Sequence, residues 1–472
     1  MQKFMRATII AILAAATFAC ATPVPPTLHT VFSDDGASEL AVPESWYERP
    51  DFGRTASLRV AEAEREIYLL VNSYYPDEYD PMPLEEFTKR VTMQLAKNLT
   101  DARMSEPRQL TVNGQPAVEY EFSANLDDTR LAYLSTAVEG RHARHHLIAW
   151  TSAERWGSNR DGIRAAVASF RESDTRRAAT PRTELAFKWP KRLTSTVSFH
   201  NKGEKRGEVT ELRGQIVTTV RPGDNDRLLV SSRATSRKLT TGSKDKAMTD
   251  YLQQVLKEAM TDLPDYVITG DGSFVGIENL GAYHQRIEAA ILKGLPEGPE
   301  AGREKARQLV KTALSEQVLA TMLQDEWNNV VGNWSGGAYV PGRNYEFLMF
   351  YQSPALAGQV FPMTVTQQLK GYTPCHAGAA AKSCVRLLQT SRVAGPDFTR
   401  ATDRLVRATV GRGVKVDSVE VVKTVEVVTE PKTLLPHSVR SQEVKTVVVT
   451  GNGKSQTSKE VDETSSVYSY RR

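Results

Sequence analysis

The chain has 472 residues, 40% of them hydrophobic and 25% charged, with a formal net charge of +4. That is an ordinary soluble composition, long enough for two or three domains at about 150 residues each. Its acidic and basic residues are well mixed, which argues against a dedicated nucleic-acid surface with a strong basic stripe. Nothing after residue 22 is long and apolar enough to span a bilayer.

The first residues read as an export signal. Lys3 and Arg6 precede an apolar run from Ala7 to Ala16, then Thr17-Phe18-Ala19-Cys20 and the proline-rich Thr22-Pro23-Val24-Pro25-Pro26. A basic start, a greasy middle and a small-residue cut are the layout of a signal, and the run is shorter than the roughly 20 residues of a spanning helix. Residues 1–21 are therefore expected to be a signal peptide and residues 22–27 an extended tether. Two processing routes fit. Ala19-Cys20 resembles the lipobox of bacterial lipoproteins, in which the thiol takes a diacylglycerol and becomes the new N-terminus; Thr17 departs from the usual leucine, and Phe18 is bulky for its place. Cleavage after Ala21 would instead discard Cys20 and leave a soluble periplasmic or secreted chain. The lipobox resemblance, with Ala21 rather than aspartate after the cysteine, implies an outer-membrane lipoprotein on the periplasmic side of the envelope.

Residues 28–172 read as one α+β domain. Strands are expected at 38–42, 56–62 and 66–73. A helix opens at Pro83, with Leu84, Phe87, Val91, Leu95 and Leu99 at helical spacing. Asn113-Gly114 between alternating runs marks a hairpin, because both residues tolerate positive φ. A second hairpin runs from Leu131 to Trp150, and a closing helix uses Ile163, Val167 and Phe170. This order, with Val42-Pro43-Glu44-Ser45-Trp46 and the Val112-to-Ala117 hairpin, resembles the PsbP-like and DcrB-like family of exported proteins over residues 36–172. The resemblance implies an antiparallel sheet flanked by helices and a binding or assembly role, with no catalytic residues to carry over.

Residues 173–184 are polar and aperiodic and read as a linker; the basic cluster Arg176, Arg177, Arg182 and Lys188 could touch anionic lipid but reads first as a solvated run. Residues 185–472 read as a second, larger α+β domain, a curved antiparallel sheet with a helical layer. Its strands begin near 193–200, 208–220 and 227–235, with turns at Lys202-Gly203 and Pro222-Gly223. Helices fall within 245–334, the last over 302–334 with Leu309, Ala313, Ala320, Leu323, Trp327, Val331 and Trp334 on one stripe and Val310, Leu314, Val318 and Met322 on another. Strands return at 344–351, 360–369 and 384–392. After a helix at 397–410, a β-meander closes the chain over 414–470.

The chemistry is sparse. Cys375 and Cys384, with eight residues between them, are expected to form a disulfide in an oxidising compartment, stabilising by about 2–3 kcal/mol. His376 beside them lacks the second ligand pair of a structural zinc centre. His145 and His146 are adjacent on a strand and point to opposite faces, so they chelate poorly. Gly451-Asn452-Gly453-Lys454-Ser455 lacks the first glycine of a phosphate loop, and Trp334-Ser335-Gly336 lacks the glycine of a nucleophile elbow. No catalytic residue, metal or cofactor is therefore expected, and the chain reads as no enzyme. The leading expectation is a non-catalytic, lipid-anchored interaction or assembly protein of the cell envelope, partnered by the membrane and other envelope proteins or lipid. The alternative is a periplasmic carrier of an apolar ligand, with Trp327, Val331 and Trp334 as a pocket wall. Exported lipid carriers of the LolA-like kind share that curved, helix-covered architecture.

Overall fold

Asn113 and Gly114 both take positive φ, 46° and 79°, and close the turn between strands Arg108–Val112 and Gln115–Leu126. A two-residue turn of this type matches the twist of the strands it joins. The Asn113 amide also donates to the Ala168 and Phe170 carbonyls, at 3.1 and 2.5 Å, pinning the hairpin to the following helix.

A computed structural model describes residues 27–471, apart from 53–55, 98, 127–128, 174–180, 206–207, 243–245, 260, 294–303, 305–314, 354–355, 357–358, 410–412 and 452–453. The expected signal, Cys20, the tether before Thr27, Arg176 and Arg177 lie outside the described residues. So does the start of the expected 302–334 helix, including Leu309, Val310, Ala313 and Leu314.

The chain is mostly β and its sheets are antiparallel. Strands β1 (Leu28–Phe32) and β2 (Ser38–Pro43) make a small sheet with a later strand. Strands β3 (Tyr47–Glu48), β4 (Leu58–Glu62), β5 (Ile67–Tyr74), β6 (Thr100–Met104), β7 (Arg108–Val112), β8 (Gln115–Leu126), β9 (Thr129–Glu139) and β10 (Arg144–Ser152) form an eight-stranded sheet. Its path is β3-β4-β5-β10-β9-β8-β6, with β7 also on β8. Strand β11 (Arg171–Glu172) pairs with β2. Helix α1 (Leu84–Ala96) packs on β8 and β9, and α2 (Trp156–Ala168) on β10 and β2. Alternation sorts the two cores. Leu134, Leu147 and Ala149 meet Ile163 and Val167 of α2, whereas Phe122, Tyr133 and Ile148 meet Leu95 and Leu99 on the α1 side.

The second sheet has eleven strands. Strand β12 (Thr183–Glu184) stands apart, followed by β13 (Leu193–Lys205), β14 (Glu208–Pro222), β15 (Leu228–Thr241), β16 (Asp265–Ile268) and β17 (Phe274–Glu278). Then come β18 (Ala338–Tyr339), β19 (Asn344–Gln352), β20 (Val360–Thr373), β21 (Cys384–Val393), β22 (Val414–Thr429), β23 (Pro436–Gly451) and β24 (Lys454–Arg471). The order is β17-β16-β15-β14-β13-β24-β23-β22-β21-β20-β19, so the last strand closes onto the first long one. Helices α3 (Lys246–Ala259), α4 (Leu280–Lys293), α5 (Glu316–Val330) and α6 (Pro396–Thr409) complete the described elements. One face of the sheet buries Leu193, Val230, Val385, Leu387 and Val427 against Trp327, Val331 and Trp334. The opposite face is polar: His200 pairs across to Ser465, Ser465 to Arg440 and Arg440 to Glu426. A period of two keeps these faces distinct over strands this long.

Two details differ from expectation. Lys202-Gly203 is not a turn: β13 continues to Lys205, with Gly203 opposite Asp462. A Cβ at Gly203 would lie 2.9 Å from the Asp462 carboxylate, the movable end of an exposed side chain, so glycine here is simply a strand residue. Helix α5 is capped by Ser315, whose Oγ accepts from the Val318 amide at 3.4 Å; a separate 3-10 turn, Gly332–Trp334, follows it.

The two large sheets meet at a buried charge cluster. Asp34 is 7% exposed and Arg59 1%, with their charged atoms 3.7 Å apart. Arg343 reaches Asp34 at 3.1 Å and Glu48 at 2.5 Å, and Arg182 also pairs with Asp34. Arg59 donates to the Ala338 carbonyl at 3.3 Å, Arg182 to the Ala56 carbonyl at 3.1 Å, and the Ala338 amide to the Pro50 carbonyl at 3.0 Å. The expected linker thus ends in structure: Arg182 is drawn in by Asp34 rather than solvated, and β12 pairs with β18. Breaking such a pair from one side strands buried charge. Asp34→Ala should therefore lower unfolding free energy by about 3–5 kcal/mol in urea titrations. Lys191→Ala, which removes a pair whose lysine is 71% exposed, should cost about 0–1 kcal/mol.

Candidate ligand site at the rim of the large sheet

The strand ends of the large sheet meet at one rim. Strand β20 stops at Thr373, a loop runs from Pro374 to Ser383, and β21 starts at Cys384. Gly378, at φ 83°, allows the loop to turn back. Cys375 and Cys384 are joined by a disulfide. On the neighbouring strands, β22 ends at Thr429 and β23 begins at Pro436. The turn between them is fastened by Glu430: its carboxylate accepts from Thr433 Oγ1 at 2.8 Å and lies 3.2 Å from His437 Nε2. The Tyr470 hydroxyl, from the end of β24, donates to the Pro436 carbonyl at 2.5 Å.

These ends border an open hollow of about 1140 Å³. Leu193, Leu435, Val467, Tyr468 and Tyr470 supply much of its wall, and Arg192, His376, Glu430 and His437 supply polar groups. The His437 and Tyr470 rings stand edge to face at 5.6 Å, and the His376 and His437 rings are 6.3 Å apart. Burial raises the phenol pKa values of Tyr468 and Tyr470, with neighbouring phenol and carboxylate charge acting the same way. Both hydroxyls are neutral, so the tyrosines present apolar rings with a hydrogen-bonding tip. The hollow can thus take an apolar body and meet a polar end with imidazole, carboxylate and guanidinium.

The residues singled out from the sequence fall in two places. Cys375 borders this hollow and is bonded to Cys384. Trp327, Val331 and Trp334, expected as a pocket wall, do not border it; they are buried in the core against the sheet. The Trp327 indole donates to the Gly272 carbonyl at 2.9 Å and meets Trp189 edge-on at 5.3 Å. The Trp334 indole donates to the Asn329 carbonyl at 3.2 Å. Ser335 Oγ donates to the Asp271 carbonyl at 2.7 Å, which occupies its proton. Glu430, His437, Tyr468 and Tyr470 carry no signature in the sequence. Only the pairing of β23 with β24 and the turn before β23 bring them beside the cysteines.

The two adjacent histidines of β10 sit on opposite faces in separate hydroxyl chains. His145 lies 3.0 Å from Ser73 Oγ through Nδ1 and 3.1 Å from Glu172 through Nε2. Burial lowers the His145 pKa despite the carboxylate. Burial also raises that of Glu172, but hydrogen bonds from His145 and the His142 and Arg141 amides outweigh it and leave a net lowering. The Ser73–His145–Glu172 line has the order of a nucleophile relay, but its imidazole and carboxylate are sealed in the core. On the other face, Thr92 Oγ1 donates to the Thr88 carbonyl at 2.7 Å and lies 2.6 Å from Ser135 Oγ, which lies 2.7 Å from His146 Nε2. Each hydroxyl has one proton, so the chain of donors runs from a neutral His146 Nε2–H through Ser135 to Thr92.

No family model matches the sequence, and no curated protein matches it. Among solved structures, the chain is similar to the cyanobacterial PsbP protein CyanoP of Synechocystis sp. PCC 6803. That match covers 33% of this chain and 98% of CyanoP, at 14% identity and a TM-score of 0.27. It is similar to PA94 of Pseudomonas aeruginosa, a protein of unknown function, over 32% of this chain and 98% of that one, at 14% identity and a TM-score of 0.22. Lipovitellin matches over 60% of this chain and 26% of its own, at 8% identity and a TM-score of 0.30. Likenesses at these scores carry nothing about function.

Burial pushes His146 down to about 3, against an ordinary value near 6.5. The unfolded chain therefore takes up a proton that the folded chain refuses. The contribution of His146 is intact above pH 6.5 and is lost as pH falls from there toward 3. Chemical denaturation across this range should show stability falling by up to about 1.4 kcal/mol per pH unit from this group. His146→Gln should flatten that slope.

Proposed function

We propose that this chain is a non-catalytic binding protein of the bacterial cell envelope that holds an apolar ligand with a polar end at the rim of its large sheet. The observation that carries this reading is the hollow of about 1140 Å³ between Leu193, Leu435, Val467 and Tyr470, with Glu430 and His437 beside it. Ligand sites are commonly concave, mostly apolar and equipped with a few placed polar groups. The reading takes residues 28–172 as a PsbP-like α+β unit flanked by helices and residues 185–472 as the ligand-bearing unit. Envelope residence is supported by the signal-like residues 1–21 and agrees with the Cys375–Cys384 disulfide. Cys20 is then the lipidated residue, and the membrane is the first partner.

A second reading, an interaction or assembly module, is favoured by β1. It is an edge strand of its small sheet and exposes Leu28 and Phe32.

Val467 is 60% exposed and borders the hollow, so an arginine there can obstruct binding at little cost to folding. Native mass spectrometry of protein purified without detergent should show a co-purifying apolar mass. Val467→Arg should lose that mass, together with at least tenfold of the affinity for a fluorescent fatty acid, at unchanged Tm. Equal uptake by the variant removes the carrier reading. Cys20→Ser should move the protein from the membrane fraction to the soluble fraction of an expressing bacterium; continued membrane retention of the variant removes the lipid anchor.

A further inference from the structure

The disulfide has a third neighbour that lies far from it in the sequence. The sulfurs of Cys375 and Cys384 and a ring nitrogen of His437 all lie within 4.8 Å of one another. Cys375 and Cys384 flank one loop and could supply only half of a metal site; β23 brings the imidazole. We propose that reduction of this disulfide converts the corner into a Cys2His site for a thiophilic divalent ion of the zinc class.

The geometry favours it on three counts. Ligand atoms around tetrahedral zinc, with bonds of about 2.0–2.3 Å, stand about 3.5–3.8 Å apart. The sulfurs, now bonded to each other, need only separate to that distance, while His437 is already within reach. His437 is also oriented from behind. Its Nε2 is 3.2 Å from the Glu430 carboxylate, which is itself held by Thr433 Oγ1 at 2.8 Å; among the described residues no hydrogen bond engages Nδ1, the nitrogen that would ligate. A carboxylate behind a histidine is the usual support of a metal-ligating imidazole. Finally, Cys375, His376 and His437 all border the hollow, so a fourth position is open to His376 or to water.

The chemistry balances with a thiol reductant. Two R–SH groups supply two electrons and two protons; the protein S–S bond breaks, an R–S–S–R bond forms, and Cys375 and Cys384 become thiols. The cation then displaces both thiol protons to solvent and binds the thiolates. Cys375 is the half-buried sulfur and Cys384 the buried one, so attack falls on Cys375. The inference does not depend on what fills the hollow.

The test is a cobalt titration of the full chain, oxidised and after reduction by a phosphine that is then removed. Thiolate-to-cobalt charge-transfer absorption should appear only after reduction, saturate at one ion per chain and bleach with zinc. His437→Ala should weaken binding at least tenfold, and His437→Cys should restore it with a stronger charge-transfer band. Glu430→Gln should weaken it by about 10–100-fold. The site is refuted by any of three results: no such band in the reduced chain, equal binding by His437→Ala, or loss of the β circular-dichroism signal on reduction alone.

Discussion

Asp34 holds the two large sheets together against an unfavourable electrostatic background. Arg59, Arg182 and Arg343 converge on it, and Arg343 also pairs with Glu48, so guanidiniums outnumber carboxylates among the described ion pairs of the cluster. Burial raises the Glu48 pKa and lowers those of Arg59 and Arg182. Two nitrogens of Arg59, Nε and Nη1, have no hydrogen-bond partner among the described residues. Such a cluster is poor evidence for net stabilisation, because desolvation offsets much of the attraction. It is better understood as specifying one arrangement. A docking of the sheets that buried these guanidiniums without Asp34 would be far worse than leaving them in water. The backbone agrees: the Ala338 amide bonds the Pro50 carbonyl and β12 pairs β18 at the same junction.

What could be read from the sequence was local. Asn113-Gly114 announced its hairpin because both residues must carry positive φ. The alternating valines from Val419 to Val427 announced a half-buried strand, and β22 and β23 pair along that register. Gly203 misled because glycine does not by itself end a strand: it was expected as a turn, and it pairs with Asp462 inside β13. Trp327 and Trp334 were placed on one face by helical spacing, but spacing does not say whether that face meets a void or a packed core. Phe187, Trp189 and Tyr339, from other parts of the chain, fill the space around them. Arg182 looked solvated because its partner, Asp34, lies in another part of the chain. The rim site was illegible for the same reason. Cys375, Glu430, His437 and Tyr470 meet only because β24 returns beside β23 and the 374–383 loop folds over the same edge.

The histidines divide by what stands behind each ring. His146 is enclosed, faces two hydroxyls in series and is neutral, so protonation would require breaking the chain of donors or unfolding the sheet around it. His145 is equally enclosed, with both nitrogens occupied by Ser73 and Glu172. Such groups fix strand order and packing. His437 differs in position: it borders an opening, its Nε2 is committed to Glu430, and a ring nitrogen lies within 4.8 Å of both disulfide sulfurs. The same residue type is structural in one sheet and chemically available in the other, and the difference lies in burial against access to an opening rather than in composition.

An apolar hollow and a thiol-based metal corner can share one rim because they make opposite demands on different atoms. The hollow needs carbon surface, which Leu193, Leu435, Val467 and the rings of Tyr468 and Tyr470 provide along the strand ends. A metal corner needs deprotonated sulfur and a fixed imidazole, which only the loop side offers. The disulfide separates the two regimes. While it is closed, both sulfurs are spent on each other, and the Cys375 side of the hollow presents a covalent, uncharged wall. Opening it would put two ionisable sulfurs beside apolar surface, a burial cost that a divalent cation bound to both would offset. The charge on the sulfurs and the presence of the ion are therefore coupled. That coupling, rather than the cysteine spacing, makes His437 and its carboxylate support the deciding residues at this edge.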